Sequence, residues 1–140
     1  MAITFENIIY DKIVDALHKL LADEFNVPIY LDEHKGNQSF LIKPVSDELI
    51  GHLNSGIERQ YNIEIDYQLK IGGKYSKNTF KQISNIMERL KRLIFNNISY
   101  SNGDVWFDAG IENIEYINDD DDLTILKAIA SFNCTNIEII

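Results

Sequence analysis

The sequence predicts an α+β domain in the order α-βββ-α-βββ: a mainly antiparallel sheet of about five to six strands, covered on one face by two amphipathic helices. Three observations carry this. Two stretches repeat apolar residues at steps of three and four, the period of one helical face. The segment from Gln60 to Leu69 alternates strictly between polar and apolar residues, the period of a strand. The links between the remaining apolar runs are short, and short links join antiparallel neighbours. The chain has 140 residues, the size of a single domain over 1–140.

The first helix is predicted from about Asn7 to Phe25. Ile9, Ile13, Leu17, Leu20, Leu21 and Phe25 form its apolar stripe, with Asp11, Lys12, Asp15, His18, Lys19 and Asp23 largely opposite. Val27-Pro28 stops it, because the residue before proline avoids the helical region. Ile29 to Glu33 reads as a short strand and His34-Lys35-Gly36-Asn37 as a turn. Phe40 to Val45 reads as a second strand, which Pro44 assigns to an edge or ends. Ser46 to Gly56 is compatible with a short helix, a bent strand or an ordered loop.

In the third strand Tyr61, Ile63, Ile65, Tyr67 and Leu69 make the buried side. Gln60, Asn62, Glu64, Asp66 and Gln68 make the wet side. After Gly72-Gly73, the second helix runs from Ser76 or Asn78 to Phe95, its stripe being Phe80, Ile83, Met87, Leu90 and Ile94. Lys91 and Arg92 fall in its last turns, where cations suit the helix dipole. Val105–Ala109 and Ile111–Ile117 then read as two strands, after the turn Ser101-Asn102-Gly103-Asp104. The polar run Asn118 to Asp122 connects them to a central strand, Leu123 to Cys134. The tail from Thr135 to Ile140 either extends that strand or crosses to a neighbouring chain.

Composition narrows the function. The net charge is −9, with 22 Asp and Glu against 13 Lys and Arg, so the chain lacks the basic footprint of a nucleic-acid reader and is ill-suited to anionic membrane surfaces. No apolar run approaches the roughly 20 residues of a membrane span, and MAITFENIIYDK has no secretion pattern. The 23 Ile against 4 Val reflect AT-rich codons rather than strand propensity.

Candidate chemistry is sparse. The single cysteine, Cys134, allows no internal disulfide and sits in an apolar strand as a small core residue. His18, His34 and His52 show no i, i+4 pair, so no helical metal site is predicted. Gly72-Gly73-Lys74-Tyr75-Ser76 lacks the first glycine of a phosphate loop and reads as a strand-to-helix turn. Asp119, Asp120, Asp121 and Asp122 lack the alternation and distant glutamate of a calcium loop, and read as a solvated turn. Trp106, with Phe107 and Tyr100, reads as partial core in preference to a binding patch. No cofactor is predicted.

The order of these segments resembles the small bacteriophage tail terminator (tail completion) proteins. The stretches that carry the likeness are "VPIYLDE", "SFLIKPV", "ERQYNIEIDYQLKI", "NTFKQISNIMERLKRLIF", "DVWFDAGIENIEYI" and "LTILKAIASFNC". The resemblance implies a virion protein, assembled in the host cytoplasm, that forms a ring, usually a hexamer. That ring sits at the head-proximal end of the tail tube, stops tube polymerisation and meets a head connector or stopper. DNA would pass through without specific binding, and no membrane or enzymatic activity is implied. Its partner or lumen surfaces are expected at Gln60, Asn62, Glu64 and Asp66, at Glu48 and His52, and at Asp119 to Asp122. A head–tail connector or stopper, and a small α+β enzyme, are the alternatives.

Overall fold

The computed structural model describes residues 2–70, 77–118 and 125–140. A π-helical segment, Ile9–Val14, runs directly into α1, Asp15–Glu24. Asn7 caps this entry, its side-chain oxygen accepting the Tyr10 N–H at 3.1 Å. The strands are β1 (Ile29–Tyr30), β2 (Gln38–Leu53), β3 (Gly56–Lys70), β4 (Phe107–Asn118) and β5 (Ile125–Ile139), with α2 (Lys77–Phe95) between β3 and β4. The sheet order is β1-β2-β3-β5-β4.

Both helices and one face of the sheet share one core. Ile13, Leu17 and Leu21 of the first helix and Ile83, Met87, Leu90 and Ile94 of α2 are buried in it, as expected, whereas Phe80, expected in the same α2 stripe, is 39% exposed near the start of the helix. Alternation does the rest. Tyr61, Ile63, Ile65, Tyr67 and Leu69 of β3 pair with Cys134, Phe132, Ala130, Ala128 and Leu126 of β5, and all ten side chains enter the core. Small alanines at the centre of β5 leave room for helix packing. Phe40 stacks between Phe25 and Tyr67 at centroid distances of 5.0 and 5.3 Å, tying α1 to β2 and β3. Trp106 is fully buried, donating its indole N–H to the Asn97 carbonyl at 2.8 Å and meeting Phe132 edge-on.

The structure corrects four expectations. The expected order α-βββ-α-βββ becomes α-βββ-α-ββ, because the two strands read either side of Gly110 are one strand, β4. Its ladder to β5 is interrupted between Phe107 and Gly110 and between Ile111 and Asn113, so bulges bend it where a break between two strands was read. The sheet is mixed, since β1 pairs parallel to β2. A parallel link ordinarily needs about a dozen residues, but β1 is so short that Leu31–Asn37 suffices to return the chain. The strand expected to reach Glu33 thus stops at Tyr30.

The second strand does not end at Pro44. Strand β2 continues to Leu53, with register shifts between Pro44 and Ser46 and between Leu49 and Gly51. Of the three readings of Ser46 to Gly56, the bent strand is the one adopted. Because β1 covers only Phe40 and Leu41, no described strand pairs with the outer side of β2 beyond Leu41, which is how Pro44 is tolerated. Asn54 and Ser55 make the turn. Gly56 is required there by close approach: a Cβ would lie 2.5 Å from the Glu138 carbonyl oxygen on β5. The tail extends β5, and the Ile140 N–H donates to the Ser55 carbonyl at 2.7 Å.

The outer half of β2, the start of β3 and the end of β5 therefore form a three-stranded extension. Its β2 strand is exposed over Val45–Ile50 and again at His52 and Leu53.

Candidate functional site

The face of the sheet opposite the helices is polar, and its strands set a row of facing side chains. Cross-strand register places Lys43 beside Glu64, Leu41 beside Asp66 and Ser39 beside Gln68. On the other side of β3, Ser131 faces Glu64 and Lys127 faces Gln68. His34, in the link after β1, hydrogen-bonds through Nδ1 to Ser39 Oγ at 2.7 Å, so that link crosses over this end of the polar face.

That crossing changes the reading of the wet face. Asp66 is 5% exposed and Gln68 is also buried, whereas Gln60, Asn62 and Glu64 are half-buried. A wet side was expected from alternation alone, which cannot register a loop laid over one end of it. Lys43 Nζ lies 3.2 Å from Asp66 Oδ2 and 3.4 Å from Glu64 Oε2, while Asp66 Oδ1 is buried without a hydrogen-bond partner.

The electrostatics follow from burial and crowding. Burial, reinforced by a hydrogen bond and repulsion from Glu64, raises the Asp66 carboxyl from 3.8 to about 6, against the opposing pull of Lys43. Lys43 is held above the ordinary lysine value, first by its bond to Asp66. Burial, with repulsion from Lys127 and Lys43, depresses His34 from 6.5 to about 4. Its Nε2 is buried and unpartnered. Near neutral pH the cluster holds one cation between two carboxylates, beside a neutral imidazole.

The other expected residues fall into two places. Gln60 and Asn62 continue the polar row, Gln60 donating to Asn62 at 3.1 Å and Asn62 donating to Ser46 at 3.0 Å. Glu48 pairs across from Gln60, and His52 across from Ile57 near the hairpin tip; both are exposed. Asp119, Asp120, Asp121 and Asp122 lie outside the described residues, as does the Gly72–Ser76 turn. The flanking residues Asn118 and Ile125 stand at the Lys70 end of the sheet, roughly 45 Å of strand away from the tip at Gly56. The structure thus joins Glu64 and Asp66 in one cluster and continues the same polar row through Asn62 and Gln60 to Glu48, Gln60's register partner on β2.

Cys134 is free, buried in the core, and its thiol is pushed up to about 12 by burial, so it carries no nucleophilic thiolate near neutral pH. His18 and His52 are exposed on different elements. Among the described residues no group of three His, Cys, Asp or Glu side chains is placed to hold a metal ion, and no helix is long and apolar enough to cross a membrane.

Two features escaped the sequence reading. Lys43 sat in a strand assigned by its apolar residues, yet it bridges the two carboxylates. The second is apolar exposure on the extension: Val45, Leu49, Ile50 and Leu53 of β2 are each about half exposed or more. No protein-family model matches the chain, and no curated protein is significantly similar to it.

Proposed function

We propose that this chain is a structural virion protein: a tail terminator whose copies, in the manner of the resembled family, close into a ring, usually a hexamer, at the head-proximal end of a phage tail tube. In this reading the ring stops tube growth and meets the head connector or stopper. The observation that carries it is the sheet extension. A strand with an unpaired outer side and apolar side chains in water is a template for another subunit. The net charge of −9 supports the same reading, since an acidic conduit offers DNA phosphates no counterion release and lets the duplex slide. The accessible part of the polar row, Glu48, Gln60, Asn62 and Glu64, is the corresponding partner or lumen surface, while the expected Asp66 is buried beneath the link after β1.

The experiment is deletion of the gene from the phage, followed by electron microscopy of lysates. Tubes of uncontrolled length without heads are the expected result, reversed by supplying the chain in trans. Tubes of normal length ending bare, beside DNA-filled heads with leaking portals, would transfer the assignment to a connector or stopper. Normal virions would refute both.

A further inference from the structure

The chain carries its charge unevenly. Helix α2 contains five Lys and Arg against one Glu, in a protein that is otherwise strongly acidic. Its cations are not equally engaged. Arg89 bonds Glu24 and lies over Phe25, and Lys91 pairs with Glu88 at 2.7 Å. Arg92 lies over the Phe95 ring at 6.0 Å and has no carboxylate partner among the described residues, and Phe95 is itself 66% exposed. Arginine and aromatic side chains are both enriched at protein interfaces.

Beside this pair runs a groove between α2 and the edge strand β4. It is lined by Lys91, Ile94, Phe95, Ile98, Gly110 and Ile111 and measures about 250 Å³. No described strand pairs with the outer side of β4. At the opposite margin of the sheet, the outer half of β2 has complementary properties. It presents Leu49 and Ile50 in water, each about half exposed, beside Asp47 and Glu48. Arg59 neutralises Asp47 at 2.7 Å, but Glu48 has no cation partner among the described residues.

From these two margins we infer a head-to-tail contact between copies, resting on the ring reading above: Leu49 and Ile50 of one subunit enter the α2–β4 groove of the next, and Glu48 meets Arg92. The two surfaces differ and lie on opposite edges of one sheet, so each subunit uses both, as a heterologous interface requires. The arm is pre-organised by its pairing with β3 and β5, so docking orders no loop. The bulges at the start of β4 make this a contact of side chains in a groove, because they interrupt a continuous backbone ladder.

The test is a chain carrying Ile50→Cys and Phe95→Cys, oxidised under native conditions and mapped by mass spectrometry, alone and with tail tubes. Both positions are surface-exposed, and circular-dichroism melting checks that folding is intact. A ladder of covalent oligomers joined by 50–95 disulfides, absent from either single variant, is expected. In sedimentation, Glu48→Arg and Arg92→Glu should each weaken association by about tenfold, and the double variant should regain most of it. Rings without a 50–95 bond would overturn the contact and leave the ring reading intact. Open 50–95 chains that never close would keep the contact and overturn the ring. A chain that stays monomeric at every concentration and on tubes would overturn both.

Discussion

Replacing Asp66 by Asn removes a buried carboxylate and keeps its shape. In the folded chain this carboxyl is raised from 3.8 to about 6 by burial and by Glu64, a difference worth about 3 kcal/mol at most. A raised folded value contributes stability that is complete below the unfolded value and lost as pH rises through the folded one. Asp66 therefore weakens the fold progressively between about pH 4 and 6 and stays unfavourable above that. His34 works in the opposite sense. Its folded value falls from 6.5 to about 4, so its contribution is present above 6.5 and lost as pH drops towards 4, again by about 3 kcal/mol at most. Over the same window the two nearly cancel, and the wild-type chain should show little net dependence from this cluster. Asp66→Asn breaks the balance. The variant should be more stable than wild type at pH 7 by about 1–3 kcal/mol, and this advantage should vanish towards pH 4. Lys43, left without that partner, is half exposed and solvated. Urea unfolding at pH 4, 5, 6 and 7 gives both curves. Parallel curves, or a variant weaker at pH 7, would refute the claim that burial and Glu64 raise the Asp66 carboxyl.

Leu90→Asp places a charge at a fully buried point of the α2 stripe and should abolish cooperative thermal unfolding at pH 7; a wild-type melt would refute the helix face assigned here. Asn136→Ala removes two donated bonds, to the Asp104 carbonyl at 3.2 Å and the Val105 carbonyl at 2.9 Å, which hold the loop before Trp106 to β5. A loss of about 2 kcal/mol in chemical unfolding, with Trp106 fluorescence shifted, is expected. Cys134 should resist thiol reagents at pH 8 until urea unfolds the chain, and reaction at the rate of a free thiol would contradict its burial.

Periodicity set much of this structure in advance, and its reach ended where one element covers another. The stripes of both helices and the buried rows of β3 and β5 were legible because each depends only on local repeat and on which side chains shun water. Alternation in β3 likewise placed Glu64 and Asp66 on one face. It could not say that Leu31–Asn37 crosses that face, and so missed that Asp66 is buried and its carboxyl raised. Lys43 went unread for the same reason: its role is created by a partner 23 residues away. The outer half of β2 has weak local preference, with Pro44, Gly51 and mixed side chains, and became a strand only because β3 offered a ladder. The single strand β4 was split in two because a glycine between apolar runs marks a bulge as readily as a turn.

Sequence alone thus determined the helices, the inward rows of the central strands, the acidity and the core position of Cys134, since these follow from each segment's own hydrophobic pattern and charge. Only the tertiary structure decided the parallel β1, the extended β2–β3 arm, the cluster of Lys43, Glu64, Asp66 and His34, and the groove beside Phe95. Each of those is a relation between segments far apart in the chain, where cross-strand register and burial by a distant loop outweigh local propensity.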